Sequence, residues 1–258
     1  MSGRTMTLPT TDGPMELYES VPEQGTSRAK GGVIVVQEAF GVNEHIESVA
    51  DRLAERGYHA VAPHFFHRAG GGTVPYGDFS KVIPKYEGLT DAGILVDVDA
   101  ARGLLHDAGW ADKSIGTVGF CFGGRVTFLV AAERAIGAAV GYYGGGIVTG
   151  RFPQFPTLTD RIPTMKTPWL GFFGDEDQSI PVEDIETLRT ALEQAPVDHV
   201  PLPRGKELER DALDAGGPVE VAVHDLGAAT RGGRRRGHRR DLSLDGPGVV
   251  LGDRELAA

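Results

Sequence analysis

The chain has one cysteine, Cys121, in 258 residues. A lone thiol cannot form an internal disulfide, so the fold must be held by its core, and a reducing compartment suits it. No apolar run is long enough to span a bilayer. The start, Met1-Ser2-Gly3-Arg4, lacks the apolar segment of a secretory signal. A cytoplasmic protein without a membrane partner is expected. Positive charge is scarce: 26 Lys and Arg face 36 Asp and Glu, for a net charge of -10, which argues against nucleic acid as a partner. There is no Gly-Lys-Ser/Thr phosphate loop and no GxGxxG opening a first βα unit. ATP and NAD are therefore not implied, and no cofactor is expected. His64 and His67 flank Phe65-Phe66, but no third ligand pattern joins them, so no metal is expected either.

What is present alternates between strand and helix patterns. Met6 to Glu19 reads as two strands about a turn at Thr11–Pro14. Val33–Val36 is a β-branched run suited to a strand buried on both faces. Asn43 follows as a helix N-cap, and Ile46, Val49, Ala50, Leu53 and Ala54 recur at helical spacing. Tyr58–Ala62 is a strand, Ala69–Leu89 a long Gly- and Pro-containing connection (a lid or a surface excursion), and Ala92–Leu105 a helix. Strands follow at 115–120, Ala138–Tyr142, Trp169–Phe173 and Val219–Val223, with helices at Arg125–Ala132 and Val182–Ala195. This order predicts an α/β fold: a mostly parallel sheet with helices on both faces.

Gly119-Phe120-Cys121-Phe122-Gly123-Gly124 stands between a strand and a helix. A nucleophile at the apex of such a strand–turn–helix bend is the layout of a nucleophile elbow. The helix N-terminus behind it favours an anion and is expected to lower the thiol's pKa. Asp175 and Asp177 lie in the loop after the strand at Trp169, where an acid can orient a histidine; Asp177 is the better candidate, and Asp175 suits a helix N-terminal charge. Glu38 ends the first buried strand on the same rim. The N–H groups of Ala39 and Phe122 are candidates for an oxyanion hole. A general base must come from the eight histidines, His45, His59, His64, His67, His106, His199, His224 and His238.

Together these segments resemble the dienelactone hydrolase family, over about residues 30 to 195. The resemblance is carried by Gly119–Gly124, by Gln37-Glu38-Ala39-Phe40-Gly41, by Ala62–Arg68, and by Asp177 ahead of Ile180-Pro181. It implies an α/β-hydrolase fold and a Cys-His-Asp triad that cleaves a small ester or lactone through an acyl-cysteine. Cys121 would be the nucleophile and Asp177 the triad acid. Glu38 would contact the resting thiol, and Phe122 and Ala39 would hold the oxyanion.

The family's histidine follows the last long strand, and there this chain has Thr230. His224 and His238 are the remaining candidates nearby. His238 lies among the six arginines of Arg231–Arg240, whose charge disfavours an imidazolium. Residues 225–258 depart from the family, so a hydrolase domain is expected over 1–224 and an atypical, disordered tail beyond it. Codon degeneracy lets a neighbouring frame hide His-Gly at Thr230-Arg231, which points to a shifted reading frame. A chain without a base would be a catalytically impaired binding protein, the alternative function. Tyr76, Lys81, Lys85 and Tyr86 are candidates for the pocket wall, with the lysines as partners for a carboxylated substrate. Substrate identity and oligomeric state are not legible.

Overall fold

A computed structural model of the chain describes residues 3–174, 177–197, 219–221 and 249–251. Its first unit, Met1–Leu208, is built on seven strands. They are β1 (Arg4–Thr10), β2 (Gly13–Ser20), β3 (Gly32–Val36), β4 (His59–Pro63), β5 (Ile115–Phe120), β6 (Ala138–Tyr142) and β7 (Trp169–Phe172), in the spatial order β1-β2-β4-β3-β5-β6-β7. β1 and β2 form an antiparallel hairpin; β4, β3, β5, β6 and β7 run parallel. Every residue of β3 and β4 is buried, as the apolar runs Val33–Val36 and Ala60–Ala62 require for a sheet covered on both sides.

The chain leaves β3 toward β4 on one side and reaches β5 on the other. Right-handed crossovers then put the intervening helices, α1 (Glu44–Glu55) and α3 (Asp91–Asp107), on opposite faces. The reversal between β3 and β5 opens a crevice beyond their carboxyl ends, where open α/β sheets place ligands. The fold is that of an α/β-hydrolase.

Local chemistry starts and orients α1. The Asn43 side chain accepts from Ile46 N–H at 3.2 Å, and Glu44 and Glu47 sit in the positively polarised first turn. Its buried residues are the five that the periodicity marked. Burying Ile46, Val49 and Leu53 contributes about 1.5–3 kcal/mol each.

Three expectations are corrected. The connection at 69–89 contains a helix, α2 (Phe79–Glu87), which buries Val82 and Tyr86; Pro84 inside it hid the helical pattern. Lys85 is not a free cation there, because its Nζ donates to the carbonyls of Ala69 at 2.9 Å and Gly71 at 2.5 Å, and Lys81 is paired with Asp78. The strand at Val219 also forms, as β8 (Val219–Val221), but it pairs antiparallel with β9 (Val249–Leu251) in a two-stranded sheet rather than extending the parallel one. Both strands fall in a second compact unit, Glu209–Ala258. The expected boundary at residue 224 lies outside the described residues. Two further helices, α4 (Phe122–Glu133) and α5 (Val182–Leu192), complete the first unit. No helix among the described residues is long and apolar enough to cross a membrane.

Candidate active site

Cys121 is the hinge between β5 and α4, with φ 54° and ψ -117°. A left-handed φ on a residue with a side chain costs on the order of 1–3 kcal/mol and persists only where the surroundings impose it. Here they do. The Cys121 N–H donates to the Tyr142 carbonyl at 3.0 Å, and its own carbonyl accepts from Gly124 N–H at 2.9 Å. A Cβ on Gly123 would lie 2.6 Å from the Val36 carbonyl oxygen, and one on Gly124 would lie 2.5 Å from that of Tyr142. Only glycine lets α4 start this close to β3 and β6, which thrusts Cys121 up at the rim.

The thiol is half-buried, and the Phe122 N–H hydrogen-bonds to it. Its pKa is nevertheless raised, against the expectation from the helix N-terminus. Burial is the largest cause, and the Phe122 N–H opposes it. The Glu38 charge raises the pKa further, Arg151 lowers it, and Asp177 raises it. Desolvation and two carboxylates outweigh one N–H and one guanidinium.

The other expected residues converge on this rim. Ala39 is buried, and its N–H donates to no described residue. Glu38 makes no hydrogen bond to the thiol. Its Oε2 accepts from the Tyr76 hydroxyl at 2.8 Å, and its Oε1 faces the Tyr143 hydroxyl at 3.5 Å. Asp177 Oδ1 accepts from the Ser179 N–H at 2.8 Å and from its hydroxyl at 2.7 Å, which fixes the carboxylate in the loop after β7.

No described histidine hydrogen-bonds to the thiol. His45 packs its ring edge against Phe120, 6.2 Å between centroids. His59 is held by Glu19 and Trp110, His67 by Asp97, and His106 by Asp112. His64 is buried with neither ring nitrogen hydrogen-bonded, and burial pushes its pKa down. His199, His224 and His238 lie outside the described residues, as does Asp175.

Two residues at the site escaped the sequence reading. Tyr143 directly follows β6 on the functional rim with φ 41°; it and Cys121 are the non-glycine residues with positive φ among those described. Its place at a strand's carboxyl end was the available signal. Arg151, in an irregular segment with no periodicity, left none. Its guanidinium lies against Gly145, makes no ion pair with a described residue, and acts on both Cys121 and Tyr86. Arg151 lines a cleft of about 340 Å³ with Thr149, Phe152, Phe155 and Pro156. Aromatic contacts join that cleft to the elbow: Phe122 lies 5.4 Å from Phe155 and 4.9 Å from Tyr86, which lies 5.5 Å from Phe152.

The sequence model of the dienelactone hydrolase family matches residues 18–200. A Yersinia pestis protein assigned, by inference, as a carboxymethylenebutenolidase is 37% identical over 202 residues, 74% of this chain and 72% of its own. An Escherichia coli K12 protein with the same inferred assignment is 37% identical over 73% of this chain and 69% of its own. The crystal structure of a Klebsiella pneumoniae protein, likewise assigned by inference as a dienelactone hydrolase, superposes with a TM-score of 0.66 at 32% identity, covering 78% of this chain and 85% of that one. The chain belongs to the dienelactone hydrolase family, whose members are ester and lactone hydrolases.

Proposed function

We propose that this chain hydrolyses a small ester or lactone in the cytoplasm through a covalent acyl-Cys121 intermediate. The observation that carries the reading is the strained cysteine at the strand-to-helix bend, with the Phe122 N–H on its sulfur. In the first half-reaction the thiolate attacks the carbonyl carbon. The new oxyanion is held by the N–H groups of Phe122 and Ala39. The tetrahedral species collapses to a thioester, and the departing alkoxide takes up the proton that the thiol gave up on becoming a thiolate. In a lactone that alkoxide stays tethered to the acyl group. In the second half-reaction a histidine oriented by Asp177 takes a proton from water; the hydroxide attacks the thioester, and the acid and the thiol are released. Glu38 acts on the thiol through its charge. The base is assigned to His224 or His238 only if the tail is read in the frame given.

Cys121→Ala and alkylation of the thiol should each abolish ester hydrolysis. Turnover untouched by both would reject the reading.

A second reading, a hydrolase-fold binding protein without a competent base, is motivated by Thr230 at the position where the family's histidine is expected. Mass spectrometry after mixing with an activated ester separates the two. Rapid turnover supports the hydrolase, a long-lived acyl adduct supports an enzyme stalled before deacylation, and no adduct supports binding alone.

A further inference from the structure

Glu38 sits between two phenols, one from each side of the crevice. Tyr76 comes from the segment that precedes α2. Its ring lies 4.6 Å from Phe40 and is 58% exposed, yet its hydroxyl turns inward to Glu38 Oε2. Tyr143 is the first residue past β6. Its N–H donates to the Phe172 carbonyl at 2.7 Å, which holds the residue at a positive φ, with its hydroxyl facing Oε1. Strain of this kind collects where a side chain must be aimed.

We infer that Tyr76 and Tyr143 are positioning residues: their phenols pin the two oxygens of Glu38 and so govern how reactive the Cys121 thiol is at rest. Held at 2.8 Å by Tyr76 and faced at 3.5 Å by Tyr143, the carboxylate is drawn away from the sulfur and from open water. Its negative charge stays at a set place near the thiol. The phenols suit the task because both remain neutral donors across any working pH. Burial is the main cause at both. At Tyr76 the Asn43 side chain opposes it and Glu38 adds to it, leaving the hydroxyl pushed up to about 12; at Tyr143 the Glu38 charge adds to burial and the rise is higher still.

Besides Glu38 and Tyr143, the groups that face the thiol are Arg151 from the 144–158 segment, Asp177 from the loop after β7, and Tyr86 from α2. None of them hydrogen-bonds to Glu38. Tyr143 itself also faces the sulfur, so a route through Glu38 must be separated from a direct one by removing the Glu38 charge. This inference rests on the reading of Cys121 as the nucleophile.

The test is the rate of Cys121 alkylation by iodoacetamide as a function of pH, in the full chain, read by mass spectrometry. In Y76F/Y143F the freed carboxylate relaxes into water and its field on the sulfur weakens. The alkylation midpoint should fall by roughly half a pH unit, about a threefold faster rate at a fixed pH below the midpoint. E38Q should lower the midpoint as well. Adding Y76F/Y143F to E38Q should change nothing more, because the tyrosines then have no charge to hold. Y76F alone alters an exposed side chain without disturbing the core and should give part of the fall.

An unmoved or raised midpoint in Y76F/Y143F overturns the inference. So does a fall of equal size in the E38Q background, which would mean that the tyrosines act without Glu38. Alkylation needs no ester turnover, so the two readings fail separately. A moved midpoint without hydrolysis removes only the hydrolase, and hydrolysis with an unmoved midpoint removes only the clamp.

Discussion

Arg125 grips Asp91 with two hydrogen bonds, Nη1 to Oδ1 at 2.7 Å and Nη2 to Oδ2 at 3.1 Å, with the arginine only 2% exposed. Arg125 is in the first turn of α4, just past the elbow, and Asp91 is the first residue of α3. The same guanidinium donates to the Pro156 carbonyl at 2.7 Å and lies 5.1 Å from the centre of the Phe155 ring. One buried fork thus ties the elbow helix, its neighbour and the wall of the cleft together. The charge-free stretch around it makes the pair costly to break rather than strongly stabilising.

Arg125→Met should therefore destabilise the protein by about 3–5 kcal/mol, because it leaves the Asp91 carboxylate buried without a partner. The thermal midpoint should drop by roughly 10 °C for a unit of this size. Adding Asp91→Leu should recover much of the loss. A single variant as stable as the parent protein in thermal unfolding would refute this account of the pair.

The glycines of the elbow differ sharply from one on a helix surface. Gly123→Ala forces a Cβ against the Val36 carbonyl, backbone against backbone, and should cost at least about 2 kcal/mol. Gly103 lies within α3 with nothing within 4 Å of a built Cβ, so Gly103→Ala should stabilise by about 0.5–1 kcal/mol. Denaturant unfolding of the two variants checks the contrast, and changes of equal sign would contradict it.

The thiol's alkylation should be slow at neutral pH and rise through a midpoint above the ordinary cysteine range, because burial raises its pKa. Arg151 is the cation that acts on it among the described residues. Arg151→Gln removes a favourable charge from the thiolate, so the midpoint should move further up, by an amount that shrinks with added salt because this side chain is exposed. Asp177→Asn removes an unfavourable charge and should move it down. Opposite movements in iodoacetamide labelling would show that the charges around the sulfur are misassigned.

The family match ends at residue 200, and the position where the family's histidine is expected holds Thr230. Sequencing the gene between the codons for Val197 and Thr230 should reveal an inserted or deleted base that returns His-Gly to that position. A single unbroken frame in independent isolates would remove the frameshift and leave the impaired-enzyme reading in its place.

Much of this protein was legible from residue order alone. The β-branched run of β3, the cap at Asn43 and the five-residue stripe of α1 each depend on neighbours a few positions apart, and they folded as read. The elbow was equally plain, since closely spaced glycines around a nucleophile have few other uses. Some features depended on distant segments meeting. The thiol's raised pKa reflects burial and the charges of Glu38 and Asp177, which no local pattern weighs against a helix N-terminus. The clamp on Glu38 joins Tyr76, 38 residues away, with Tyr143, 105 residues away. The Asp91–Arg125 fork likewise spans 34 residues. Local periodicity decides which segments become strands and helices; only the order in which the sheet gathers them decides which polar side chains share the crevice.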